Sequence, residues 1–362
     1  MQRRKFLKTV GIGAAGVAAA PFVSTAKAQD TITWDMVTSW PTNFPALGTG
    51  ANDFAQRIEQ LSNGRMRVRV HGAGELVPAM EVFDAVAAGT AEMGHSAAYY
   101  WRGKVAASQF FTAVPFGMNT TEKNAWLYHG GGQELWDEVY AKHNLKPFAV
   151  GNTGAQMAGW FKKEINSLAD MQGIRLRLPG LAGEAMNGIG VTTVNMPGGE
   201  IFTSMQTGVL DAADWVGPYN DMAFGLYQVA DYYYTSVWNE PTAVLEGTVN
   251  LDAWNALPDD LKDVVREAAK ASNLAMISEF AYRNAQALET LVDEHGVQLR
   301  EFPQDVMEAL FESSKQVIQE QVDRDPESAK VYESYLAFQK LVRPFSDIGE
   351  YAYLKGRDNV GA

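Results

Sequence analysis

The sequence predicts an α/β protein built from two related lobes, and three observations carry that prediction. Strand-like stretches with period-two alternation are interleaved with helix-like stretches, which implies βαβ units and mostly parallel sheet. Two fourteen-residue segments about 120 residues apart echo each other, "EVFDAVAAGTAEMG" (81–94) and "EIFTSMQTGVLDAA" (200–213). Both carry a Glu, a Phe two later, a Gly eight later and an acid three beyond that, and both read as a helix closed by a C-terminal glycine. Finally, Asp259 to His295 contains neither Pro nor Gly, has apolar residues at spacings of three and four, and lies between Pro258 and Gly296. A helix of that length runs roughly 50 Å against about 30 Å for a small lobe, so it passes along both lobes or leaves the body.

Taken in order, the first 28 residues stand outside this fold. They have a basic start, a small-apolar run from Val10 to Ala20 and an Ala26-Lys27-Ala28 end, which reads as an export signal cleaved after Ala28. Arg3-Arg4-Lys5-Phe6-Leu7-Lys8 looks like a twin-arginine signal, and an ordinary leader that happens to hold two arginines is the alternative. The remaining chain opens with strand-like "TITWDMVTSW", then the helix pattern "GANDFAQRIEQLSNG", then "RMRVRVHGAGEL", whose arginines alternate with Met66, Val68 and Val70. From Asp305 the chain is again amphipathic helix, broken at Asp325-Pro326. Its later apolar stripe (Val331, Tyr335, Leu336, Phe338, Leu341, Val342) must pack on a partner subunit or on the chain's own surface.

Composition narrows the function. The 362 residues are 46% hydrophobic and carry a formal charge of −13. The leader holds five basic residues and no acid, leaving the remainder near −18. Nucleic acid does not suit such a surface. There are no cysteines, so disulfides, thiol nucleophiles and thiolate metal sites are excluded. The five histidines are scattered without ligand spacing, and no nucleophile elbow, P-loop or dinucleotide fingerprint is present.

The chemistry therefore has to come from charged and amide side chains near strand ends. In "GIRLRLPG" (173–180), Arg175 and Arg177 share one side of a strand, and Arg177 lies nearer its end, where ligands collect in open α/β sheets. They are either a solvated strand face or an anion receptor whose planar fork fits a carboxylate. Asp214 and Trp215 follow a short strand and precede a Gly-Pro turn, an arrangement common to ligand crevices and to capped turns. Glu240 precedes Pro241 and so sits in extended backbone, and Gln156 offers an amide oxygen in a Gly-rich stretch. Together with a backbone carbonyl these are hard oxygen ligands, suited to Ca²⁺ or Na⁺ rather than to zinc or copper.

In combination and in register, "GELVPAMEVFDAVAAGTAEM" and "RLPG…EIFTSMQTGVLDAADW" resemble the solute-binding proteins of tripartite ATP-independent periplasmic (TRAP) transporters, over essentially all of the chain after the leader. The subgroup for 2-oxo acids such as pyruvate, or 2-hydroxy acids such as lactate, is the nearest likeness. The resemblance implies a two-lobed periplasmic-binding-protein fold with a cleft between the lobes, a long bridging helix and an extended C-terminal helix. It divides the chain into residues 29–152 plus 243–300 as the first lobe and bridging helix, 153–242 as the second lobe, and 301–362 as a helical extension that dimeric members exchange between subunits. It assigns Arg177 to the solute carboxylate and Gln156 to both solute and cation. Asp214, the Trp215 main-chain oxygen and Glu240 become ligands of one cation, Na⁺ or Ca²⁺. Tyr99 and Tyr100 fall where a pocket aromatic is expected, Tyr100 being the better match.

The expected function is capture of a small carboxylate in the periplasm and delivery to a TRAP membrane permease, without catalysis and as a homodimer. Two rivals remain at this point: an exported metal-dependent lyase acting on 2-oxo acids, against which the lack of an independent general base counts, and an exported scaffold.

Overall fold

The computed structural model describes residues 31–235 and 237–361, so the expected leader and its cleavage point lie outside the described residues. In chain order the strands are β1 (Ile32–Thr38), β2 (Met66–His71), β3 (Met93–Ser96), β4 (Leu145–Asn152), β5 (Gly159–Phe161) and β6 (Arg175–Arg177). They continue with β7 (Thr192–Val194), β8 (Ala212–Ala213), β9 (Tyr232–Tyr234), β10 (Val244–Asn250) and β11 (Gln298–Arg300). One sheet has the order β2-β1-β3-β10-β4 and the other β11-β9-β5-β8-β6-β7.

Alternation of strands and helices predicts mostly parallel pairing, and the sheets are instead mixed. In the first, β10 runs antiparallel to both β3 and β4; in the second, β5 runs antiparallel to both β8 and β9. Each of these two is the first strand formed after the chain crosses directly from one sheet to the other, and each runs against its new neighbours, whereas β11, which also follows a crossing, runs parallel to β9. The crossing segments are bonded to one another. Thr153 N donates to Ala243 O at 3.0 Å, Gln156 N to Glu240 O at 3.0 Å and Ala158 N to Tyr234 O at 2.8 Å.

Helices cover the sheets by the periodicity read from sequence. The Leu47–Leu61 helix buries Leu47, Ala51, Phe54, Ala55 and Ile58, and Phe54 and Ile58 pack in the core of Trp34, Met36 and Val68. The two echoed segments form helices at Val82–Ala87 and Gly198–Gln206, followed by Gly89 and Gly208 with φ of +73° and +77°. That left-handed conformation is the reason for the shared glycine. The uninterrupted pattern becomes a 35-residue helix, Asp259–Asp293. Its first half (Leu261, Val265, Ala268) packs in the first sheet's core, and its second half (Met276, Phe280, Leu291) in a core with Trp160 and Tyr233 of the second. Because the helix carries the chain that far, residues 298–300 emerge beside β9. They pair with it in parallel as part of the second sheet.

The C-terminal helices divide their apolar stripe. Helix Gln304–Arg324 buries Val306 and Leu310 against Ala182, Ala185 and Met186. Helix Pro326–Ser346, capped by the Asp325 carboxylate on Ser328 N (2.9 Å), inserts Val331 and Tyr335 into the core of Phe110, Phe111 and Trp126. The Tyr335 hydroxyl accepts from Met118 N at 2.7 Å. Further along, Leu341, Phe345 and Ile348 are 75%, 73% and 78% exposed, so only the first part of the stripe is covered by the chain itself.

Candidate functional site

Strand β6 separates its two arginines. Arg175 is exposed and makes a two-pronged pair with Asp211, Nε to Oδ2 at 2.8 Å and Nη2 to Oδ1 at 2.7 Å. Arg177, two residues on and on the same side of the strand, is completely buried. Its Nη1 donates to the Asp214 carbonyl at 2.9 Å, its Nη2 to the Tyr100 hydroxyl at 3.2 Å and its Nε to the Met196 carbonyl at 3.4 Å. These bonds leave one N–H on each terminal nitrogen for a further acceptor. The guanidinium carbon lies 5.0 Å from the Trp215 ring centroid, and the Asp214 carboxylate approaches Nη1 only to 4.0 Å.

Asp214 and Trp215 are placed by β8, which sits between β5 and β6, and by the Asp214 N to Arg177 O bond of 2.9 Å that extends the β6 ladder. Trp215 packs edge-on to Trp40 (6.2 Å between centroids) and its far edge lies where a side chain on Gly198 would be, so that helix start must be glycine. Gln156 and Glu240 belong to the two crossing segments and are brought together by the backbone bond between them. Tyr99 and Tyr100 form the turn after β3, with ring centroids 4.9 Å apart; Tyr99 is buried and donates its N–H to Thr112 Oγ1 at 3.2 Å. Of the residues named from the sequence, Tyr99, Gln156, Arg177, Asp214, Trp215 and Glu240 are buried, Tyr100 is half-buried beside Arg177, and Arg175 stands apart on the surface.

The site's electrostatics are unbalanced. Asp214 and Glu240 are 1% and 2% exposed and face a single guanidinium. Burial pushes the Asp214 carboxyl up to about 7, with Arg177 pulling the other way and Asp221 adding to the rise. Burial, then repulsion from Asp214, holds Glu240 well above the usual carboxylate range. Asp214 Oδ2, Glu240 Oε2 and Gln156 Oε1 are buried with no hydrogen-bond partner. The Gln156 amide nitrogen is occupied by Thr153 Oγ1 at 3.0 Å, which orients its oxygen away from that bond. Unpartnered buried oxygens of two carboxylates and an amide are the donor set of a hard cation. Among the described residues no group of three or more His, Asp or Glu gathers to hold a metal ion, so a cation here would need the amide oxygen of Gln156 or a main-chain oxygen beside the two carboxylates.

Sequence reasoning passed over four neighbours. Asn239 donates from Nδ2 to Asp214 Oδ1 at 3.1 Å and leaves its own Oδ1 unpartnered; its place beside Glu240 was the available signal. Trp40 stands 6.2 Å from Tyr100 and donates Nε1 to His95 Nδ1 at 2.7 Å, and burial drops that histidine to about 3, keeping it neutral. Asp221, three residues beyond Pro218, carries the helix-start signal of an early acid. Nothing in sequence spacing ties His95 or Trp40 to Arg177.

Two linked α/β sheets, a helix packed on both, and a buried arginine beside unpartnered acid oxygens define a solute receptor of the periplasmic-binding class. More particularly, the chain belongs to the bacterial extracellular solute-binding proteins, family 7 (DctP), whose family model matches residues 36–325. It is 40% identical over 360 residues to a monocarboxylate 2-oxoacid-binding periplasmic protein of Nostoc, covering 98% of both chains. Among solved structures, a TRAP solute-binding protein of Colwellia psychrerythraea with bound calcium and pyruvate superposes with a TM-score of 0.88 at 38% identity, over 90% of this chain and 100% of that one. One from Pseudoalteromonas atlantica with sodium and pyruvate gives 0.88 at 38%, over 90% and 99%. A dimeric one from Bordetella bronchiseptica with calcium and picolinate gives 0.89 at 34%, over 91% and 98%.

Proposed function

We propose that this chain is a periplasmic receptor that captures a small 2-oxo or 2-hydroxy monocarboxylate together with one cation, Na⁺ or Ca²⁺, and hands it to a TRAP membrane permease. The observation that carries the reading is the set of unpartnered oxygens of Gln156, Asp214 and Glu240 beside Arg177. Arg177 offers its remaining N–H groups to the solute carboxylate, and the Tyr100 hydroxyl, already on Nη2, lies in position to share in it. Asp214, Glu240, Gln156 and the Trp215 carbonyl hold the cation, which supplies the positive charge the buried acids lack and a second contact for the carboxylate and its neighbouring oxygen. Tyr99, Tyr100 and Trp215 wall the site. Arg177, Asp214, Gln156 and Glu240 are at most 2% exposed, so solute enters when the lobes part.

The role is capture and release without turnover, and pyruvate incubated with the protein is expected to be recovered unchanged. Export by the leader, with cleavage after Ala28, places the receptor in the periplasm. The exposed apolar residues Leu341, Phe345 and Ile348 support exchange of the C-terminal helix between two copies, with a dimer mass in sedimentation as the check.

The test of the binding reading is thermal unfolding of protein freed of ligand by unfolding and refolding, with pyruvate, longer 2-oxo acids, lactate and succinate, each with and without chelator. Ligand at a hundred times its dissociation constant stabilises by about 2.7 kcal/mol. A shift with 2-oxo acids that chelator abolishes supports the reading with Ca²⁺, and one that survives chelator points to Na⁺ or to binding without a metal. No shift with any acid rules the reading out.

A further inference from the structure

We propose that Asp221 is the positioning residue of the cation site, fixing the direction of the Trp215 carbonyl; this rests on the ligand reading above. Asp221 is 1% exposed, and each of its oxygens accepts two hydrogen bonds. Oδ1 takes the N–H groups of Val216 and Gly217, both at 3.0 Å. Oδ2 takes Trp160 Nε1 at 3.0 Å and the Tyr233 hydroxyl at 2.7 Å. Trp160 and Tyr233 are paired across β5 and β9, their rings stacked at 4.0 Å, so one side of the carboxylate is anchored to the middle of the second sheet. The other side grips the loop that follows Asp214 and Trp215.

The consequence follows from peptide geometry. In a trans peptide the N–H and the preceding C=O point in opposite directions, and the described residues contain no cis bond. With its N–H held by Asp221, the peptide joining Trp215 to Val216 must turn the Trp215 carbonyl away from Asp221. The next peptide is held from both sides, because the Val216 carbonyl also accepts from Met157 N at 3.3 Å. The Trp215 carbonyl is different: among the described residues no donor reaches it. It is thus fixed in direction and free to coordinate. A helix-start acid needs only the backbone contact; the two sheet anchors make Asp221 a fixed reference for the loop.

Calcium titration by calorimetry on the refolded, chelator-treated protein tests this. Asp221→Asn retains an oxygen for the loop but sets an amide N–H₂ against the Trp160 N–H, loosening the anchor. The expected result is a Ca²⁺ affinity weaker by about 10- to 100-fold, the usual cost of losing an outer partner of a metal ligand. Pyruvate affinity returns to the wild-type value once Ca²⁺ is saturating, which general destabilisation does not produce. Tyr233→Phe removes one of the two sheet anchors and leaves the Trp160 anchor and both loop bonds, so it weakens Ca²⁺ affinity in the same direction and by less than Asp221→Asn. Wild-type Ca²⁺ affinity in folded Asp221→Asn overturns the proposal; if that variant does not fold, wild-type Ca²⁺ affinity in Tyr233→Phe overturns it instead. Glu240→Gln separates the two levels. If it alone weakens Ca²⁺ binding, only the Asp221 inference is lost; if it too binds Ca²⁺ normally, the ligand reading has failed and the inference falls with it.

Discussion

Strand β6 and its neighbour β8 hold two arginine–aspartate pairs of the same make and opposite use. Arg175–Asp211 and Arg177–Asp214 are each tied by a 2.9 Å backbone bond from the aspartate N–H to the arginine carbonyl. The first pair is exposed and closed, with two direct bonds between fork and carboxylate. The second is buried and open, its nearest ion-pair distance 4.0 Å, with Asp214 Oδ2 unpartnered. A closed surface pair is worth about 0–1 kcal/mol because water screens it. An open buried pair is costly until something completes it. The difference teaches that charge left unsatisfied in the interior, rather than charge as such, marks the binding site.

The largest effect that tests this contrast is Arg177→Lys. Charge is kept but the fork is lost, and hydrogen bonds to charged groups contribute about 1.5–3 kcal/mol, so pyruvate affinity should fall by roughly 10- to 150-fold in calorimetry. Equal affinity would sink the role of Arg177 as anion receptor. Tyr100→Phe should cost less, about 1 kcal/mol, because it removes a single neutral partner of Nη2.

A buried acid with no guanidinium sharpens the comparison. Glu246 on β10 accepts from Trp101 Nε1 and from the Tyr140 hydroxyl, and burial raises it to about 7. The folded state therefore holds this proton more tightly than the unfolded chain, so its contribution to stability is full below the ordinary glutamate range and is lost as pH rises toward 7. Unfolding midpoints of wild type and Glu246→Gln, compared between pH 5 and 8 in chelator, should shift in favour of the variant as pH rises. A constant difference would show that Glu246 is charged throughout. The smallest effect belongs to Arg175→Lys, expected to change stability by less than about 1 kcal/mol and to leave solute affinity untouched.

Much of this was legible in the primary structure. Helix periodicity, the Pro258 and Gly296 boundaries and the absence of breakers between them specify the long helix, because those are local properties of a chain segment. The shared glycines of the echoed segments predict left-handed helix ends for the same reason. Family spacing singled out Arg177, Gln156, Asp214 and Glu240 as a set. Alternation alone could not divide Arg175 from Arg177, since it puts both on one side of β6 and burial depends on what covers each; strand-end position and the family likeness favoured Arg177. Nor could it show that β5 and β10 run against their neighbours, because strand direction is set by how the chain crosses between sheets. Asp221 was invisible for a related reason. Its partners Trp160 and Tyr233 lie 61 and 12 residues away and meet it only because β5 pairs with β9. Composition, periodicity and spacing determined the elements and the kinds of donor; only tertiary structure decided which charges are desolvated, and desolvation is what separates a solvated pair from a receptor.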